Sequence, residues 1–190
     1  MPETGTRPAR ADAVRNRTKI LDAARQQITE HGPNVGMDQI AGAAGVAVGT
    51  LYRHFPTKND LVAAVVSDFV SEVADRAEAA VSRVAHGSPA FTELAALMGD
   101  IVQAAASNHA VKAAAVALNA DVDDSRDVQR ARDALQVLIN GSQTDHSVRD
   151  DLSIGDFYLL VSNAPVDEPP AVLRRWVELT LFGMAGRPAG

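Results

Sequence analysis

An all-α chain is what three features of the sequence predict. Aromatic residues are only 4% of the 190 positions, and alanine is abundant, a composition that favours close-packed helices over sheet. Apolar residues recur at three- and four-residue intervals through most of the chain. No segment alternates apolar and polar residues between turn signals, as a half-buried strand would. The hydrophobic content of 46% against 22% charged residues is enough to bury a core, in one domain or in a small module joined to a medium one.

About nine helices are expected. Residues 1–11 contain Pro2, Gly5 and Pro8 with Arg7 and Arg10 and no periodicity, so they read as a disordered basic arm. From Asp12 a helix carries Ile20, Leu21, Ala24 and Ile28 on one face. His31-Gly32-Pro33 should stop it, glycine taking the left-handed cap and proline forbidding continuation. Two short helices follow, Met37–Ala44 and Val48–Phe55, and Pro56 breaks the chain. Thr57 and Asp60 have the spacing of a capping box and open a long helix, with Leu61, Val65 and Phe69 in an i+4 ladder, that should end near His86-Gly87-Ser88-Pro89. Further helices are expected over Phe91–Ser107, over Val111–Leu118 and from Asp124 or Ser125 to Leu138. Gly141–Asp151 reads as a loop. Ile154–Ser162 and Ala171–Met184 are the last two helices. The final one is apolar on several sides, with Trp176, Leu181 and Phe182, and needs covering by the chain's own core or by another subunit.

Composition narrows the function classes. Cysteine is absent, which excludes disulfides, thiolate catalysis and iron–sulfur clusters and fits a reducing cytoplasm. No apolar run approaches the roughly 18 residues of a membrane helix, and the N-terminus lacks a signal-peptide pattern. The net charge is −6 overall, yet the first sixty residues carry +2 and the rest −8. This asymmetry suggests a small module that meets a polyanion on an acidic body.

Met37–Phe55 carries the chemistry. Two short helices joined by a tight glycine turn form a helix-turn-helix. Ala41 is small enough for the helices to cross closely, and Gly45 can take the positive φ that reverses the chain. Ile40, Ala44, Val46 and Leu51 pin the pair to a core. Gly49 has no side chain, so its backbone can approach another surface. Thr50, Tyr52 and His54 should lie on or near an exposed face able to enter a DNA major groove. The Tyr52 hydroxyl, the His54 imidazole and Lys58 are phosphate-sized donors around it.

The segment Thr18–Leu61 closely resembles the DNA-binding module of the tetracycline-repressor (TetR) family of bacterial transcription regulators. The resemblance rests on Ile20, Leu21, Ala23, Ala24 and Gly32, then on Ile40, Ala41, Ala44, Gly45, Val46, Gly49, Tyr52, Phe55, Lys58 and Leu61. It implies an N-terminal DNA-binding domain over 12–60 and a ligand-binding and dimerisation domain over 61–190. It further implies a homodimer paired through the last two helices. A small-molecule effector would shift the long fourth helix and release a palindromic, double-stranded operator. Carried over by position, Val48, Gly49 and Thr50 read bases, Tyr52, His54 and Lys58 grip phosphates, and Gln39 lies near the DNA backbone. No cofactor is implied. Gly36 stands where a hydroxyl cap is common, and Val48 where a polar residue is common; valine can touch a thymine methyl but cannot hydrogen-bond a base. Arg7, Arg10 and Arg15 are further candidates for DNA contact.

Other constellations fall short. Asp121, Asp123, Asp124 and Asp127 lack the glycine and terminal glutamate of a calcium loop. Ser142, Asp145, His146 and Ser147 are one polar stretch, not an assembled triad. Two alternatives remain: a dimeric ligand- or protein-binding module without DNA recognition, and a small helical enzyme using Glu93, Asp100 or His109. The effector's identity is not readable. Leu94, Leu97, Met98, Ile101, Val102, Val116, Phe157 and Leu160 are candidate pocket lining.

Overall fold

A computed structural model describes residues 6–118, 120 and 125–186, without the side chains of 6–10 and of residue 125. The expected arm residues 1–5, the acidic stretch 121–124 and the cap at Asp124 lie outside the described residues. Among the described residues the elements are eight helices: α1 Thr6–His31, α2 Met37–Ala44, α3 Val48–His54, α4 Lys58–Ala85, α5 Ala90–Ala117, α6 Ser125–Thr144, α7 Ile154–Ser162 and α8 Pro170–Met184. Among the described residues the only β pairing is an isolated bridge between Val148 and Ala185.

Helix stops fall where glycine was read as a stop. Gly32 sits at φ 78° and Gly87 at φ 104°, and the Gly32 N–H donates to the Ile28 carbonyl at 2.9 Å. Thr57 and Asp60 form the expected box at the start of α4, with Thr57 N donating to Asp60 Oδ2 at 2.9 Å and Asp60 N to Thr57 Oγ1 at 3.1 Å.

Three boundaries differ from expectation. The helices expected at Phe91–Ser107 and Val111–Leu118 are one, so eight are seen where about nine were expected. Nothing between them breaks a helix, and Ser107 turns its hydroxyl onto the Gln103 carbonyl. α1 begins at Thr6 rather than Asp12; Pro8 falls in the first turn, where a missing N–H removes no helical bond. α6 continues through Gly141–Thr144, expected as loop. Ser142 and Thr144 direct their hydroxyls to the carbonyls four residues back. A Cβ on Gly141 would press on that of Ala90 at 3.0 Å, so the glycine permits a close helix contact inside α6.

The described chain forms two compact units. Residues 6–68 with 108–118 and 120 make the first, and 69–107 with 125–186 the second. The first core gathers Ile20, Ala24 and Ile28 of α1, Ile40 and Ala41 of α2, Leu51 of α3, and Leu61, Val62 and Val65 of α4. The end of α5 joins it through Val111, Ala114 and Ala115, one face at i, i+3 and i+4. The second core packs Leu94, Leu97, Met98 and Val102 of α5 with Leu135, Leu138 and Ile139 of α6, Phe157 of α7 and Leu173 and Met184 of α8.

In the second unit, Arg130 of α6 ties itself to α4. Its guanidinium donates to Asp75 at 2.6 Å, to Glu78 at 2.6 and 3.0 Å, and to Asp127 at 2.8 Å. The Arg130 hydrogen bonds hold the Glu78 and Asp127 carboxyls below their ordinary values. A carboxylate held low stabilises the fold above its unfolded value and loses that contribution as pH falls through the lowered folded one. Thermal melts between neutral pH and acid should therefore show a stability loss setting in below pH 4.5, the ordinary glutamate value. Arg130→Gln should reduce stability at neutral pH and make that acid loss shallower.

Candidate nucleic-acid interface

The helix-turn-helix is built on its turn. Gly45 adopts φ 64° and ψ 33°, a region that glycine enters without a Cβ penalty. The Val46 N–H then donates to the Ala41 carbonyl at 3.1 Å, closing the end of α2. Ile40, Ala41 and Leu51 are fully buried, and Val46 packs half-buried beside them. Gly36 caps α2 without a side chain. Gln39 compensates, its Oε1 accepting from the Gly36 N–H at 2.9 Å.

α3 turns one edge inward and the other to solvent. Leu51 and Phe55, four residues apart, are buried. Val48, Gly49, Tyr52 and Arg53 are exposed, which at 100° per residue is one continuous arc opposite Leu51. Thr50 and His54 flank the arc and are half-buried. Among the described residues neither the Thr50 nor the Tyr52 hydroxyl has a hydrogen-bond partner, so both are free to bind. Gly49 is the telling position. Its φ is ordinary, it lies inside a helix, and a Cβ built on it meets nothing within 4 Å. Among the described residues no contact requires glycine there.

Two of the expected phosphate donors are engaged or enclosed within the protein. Lys58 is half-buried, and its ammonium donates to the Val35 carbonyl at 2.6 Å and also to that of Pro33. It closes the α1–α2 turn, and burial pulls its pKa down. Those two carbonyls also offset the repulsion of a cation at the positive end of α4. One of its three N–H groups remains. His54 turns Nε2 into the protein, where it has neither solvent nor a partner, so that atom is not presented to DNA. Gln39 is exposed, with its carbonyl engaged and its amide nitrogens free to donate. Arg53, not among the expected site residues, also lies on the outer arc, two residues on from the buried Leu51.

In the second unit, a groove of about 450 Å³ runs along α7 and α8, lined by Leu152, Leu159, Leu160, Leu179, Thr180 and Met184 among others. Beside it Leu159, Leu179 and Phe182 are exposed, Phe182 at 83%. Of the candidate pocket residues, Leu94, Leu97, Met98, Val102 and Phe157 are buried core and Val116 points to solvent at 73%. Ile101 is half-buried in the second core, and Leu160 lines the groove. The enzyme reading loses its acids: Glu93 is ion-paired with Arg83 at 2.8 Å, and Asp100 is exposed.

Residues 20–65 match the family model of bacterial regulatory proteins of the tetR family. Residues 89–186 match that of the SbtR-like transcriptional regulator C-terminal domain. The structure is similar to that of a TetR transcription regulatory protein from Mycobacterium vanbaalenii, with a TM-score of 0.73 and 30% identity, over 94% of this chain and 99% of that one. It is also similar to a TetR transcriptional regulator from Streptomyces coelicolor, with a TM-score of 0.69 and 26% identity, over 90% of this chain and 98% of the other. An HTH-type transcriptional regulator of Staphylococcus aureus is 45% identical over 53 residues. That stretch is 27% of this chain and spans only 29% of the relative's length.

Lys58→Met should keep the length of the stem and leave two carbonyls without their donor. Thermal or urea unfolding should show a loss of about 1–3 kcal/mol.

Proposed function

The chain belongs to the TetR family of DNA-binding transcription regulators and is not an enzyme, and on that premise we propose that it is a ligand-responsive repressor that grips a palindromic operator as a homodimer. One observation carries the DNA-reading part. The outer arc of α3 presents Val48, Gly49 and Tyr52 with no partner among the described residues, and it holds a glycine that no contact among them requires. Gly49 is the second residue of α3, and a helical glycine loses more backbone freedom on folding than alanine. A close approach of the α3 backbone to a major groove gives it a purpose. In this reading Val48 meets a thymine methyl, Thr50 reads a base edge and Tyr52 donates to a phosphate. Lys58 adds its remaining N–H, His54 stands at the edge, and Gln39 reaches the backbone from α2.

The homodimer rests on separate support. One seven-residue recognition helix makes few contacts, whereas two on a two-fold axis, ~34 Å apart, read both halves of a palindrome. The exposed Leu159, Leu179 and Phe182 on α7 and α8 form the apolar surface for that pairing. The effector is a small molecule of unidentified chemistry that binds in the second unit and releases the operator. The groove of about 450 Å³ along α7 and α8 shares Leu159 and Leu179 with that pairing surface, so it belongs to the pairing face rather than to the effector. Among the described residues no helix is long and apolar enough to cross a membrane.

Selection from random duplexes, followed by anisotropy titration, tests the reading. A palindromic consensus should emerge, bound with an affinity that falls steeply with salt; no enrichment at low salt would overturn it. Gly49→Ala should raise thermal stability and weaken operator binding by about tenfold or more, the loss of a typical specific contact. Phe182→Asp should shift the protein to monomer in sedimentation and flatten its preference for palindromes over half-sites.

A further inference from the structure

We propose that Arg17 is a DNA-phosphate contact, pre-positioned by the Phe55 ring, that extends the DNA-facing surface from α3 onto α1. The inference rests on the DNA-binding reading above and adds a residue to it. Arg17 lies exposed on α1, and its Cζ sits 5.0 Å from the centroid of the Phe55 ring. Phe55 is the C-cap of α3 and only 3% exposed. The ring is therefore fixed in the core while the cation above it faces solvent. Arg17 thus stands at the end of α3 opposite the one that begins with Val48.

The two other arginines of α1 whose side chains are described are treated differently. Arg15 is paired with Asp12, and Arg25 with Asp22 and Asp68. Arg17 has no carboxylate partner among the described residues; an aromatic face holds it instead. A ring attracts the cation through its quadrupole and leaves the charge whole. A carboxylate would have neutralised it and occupied the N–H fork that a phosphate needs. Holding the side chain before binding also removes part of the entropy lost when a long flexible arginine is immobilised on a ligand. An ordered, exposed guanidinium beside α3 with its N–H fork open has the geometry to bind a phosphodiester. The competing role is internal, with Arg17 merely complementing the negative C-terminal end of the α3 dipole.

The test uses the full chain and two labelled duplexes, the selected palindrome and a random sequence of equal length, titrated from about 50 to 200 mM salt. Arg17→Gln should weaken binding to both duplexes by a similar factor, about five- to tenfold. It should also lower the steepness of log affinity against log salt by about two per dimer, one phosphate contact in each subunit. Arg17→Lys, which keeps the charge without the planar fork, should retain the wild-type salt slope while losing part of the affinity. Melting curves of both variants identify any loss that comes from unfolding. An unchanged salt slope in Arg17→Gln overturns the inference, whether or not its melting point falls, and leaves the regulator reading standing. Failure of the wild-type chain to bind either duplex overturns the regulator reading itself.

Discussion

Seven residues of helix do not hold together in water, because the first turn fixes several residues for a single hydrogen bond. α3 is that short, and only Leu51 within it is buried. It exists because Leu51 and the adjoining Phe55 are locked into the first core and because Gly45 sets where the helix begins. The remaining arrangement serves that anchorage. Ala41 is fully buried and small, which lets α2 lie against the core close to α3. Lys58 binds the α1–α2 turn from the first residue of α4, and Gln39 closes the start of α2. A helix so held can leave its whole outer arc free for another molecule, since none of its exposed side chains is needed to keep it folded.

The same dependence explains what could be read from sequence. Residues whose role is backbone geometry or tight burial announce themselves: Gly32, Gly45, Ala41, Leu51 and the Thr57–Asp60 box all act as their types and spacing require. Continuity was harder. Val111, Ala114 and Ala115 face the first core, whereas Leu94, Leu97 and Met98 of the same helix face the second. The change of apolar face along α5 looks like a break in sequence, although no residue between them interrupts the helix. The extension of α6 through Gly141 was hidden likewise, because a glycine admitted by a close neighbour, Ala90, cannot be told in sequence from one that ends a helix.

Side-chain partners were least legible. Lys58 and His54 carry groups suited to phosphate, and their spacing from Tyr52 said nothing about where those groups point. The turn carbonyls that engage Lys58 lie more than twenty residues earlier in the chain, and the enclosure of His54 Nε2 depends on packing. Arg17 shows the converse. Its link to Phe55 spans two helices, so only coordinates reveal that this arginine, among several in the first third, is held without being neutralised. Charge counting located the basic module; which cations remain available is a matter of tertiary contacts.

The grip on α4 differs in kind between the two cores. In the first, Leu61, Val62 and Val65 are fully buried. In the second, the fully or almost fully buried residues are Ala77 and Ala80, supplemented by half-buried Val81 and Val84 and by the ion pairs to Arg130. Burying a leucine or valine contributes about 1.5–3 kcal/mol, against less than 1 kcal/mol for a single methyl group, and exposed ion pairs are individually weak. Alanine contacts also interlock little, because a methyl neither fills a deep hole nor blocks a neighbour's path. The segment of α4 beyond Asp68 is therefore the less tightly held part of the helix, while Leu61, Val62 and Val65 fix its start in the core that holds the helix-turn-helix.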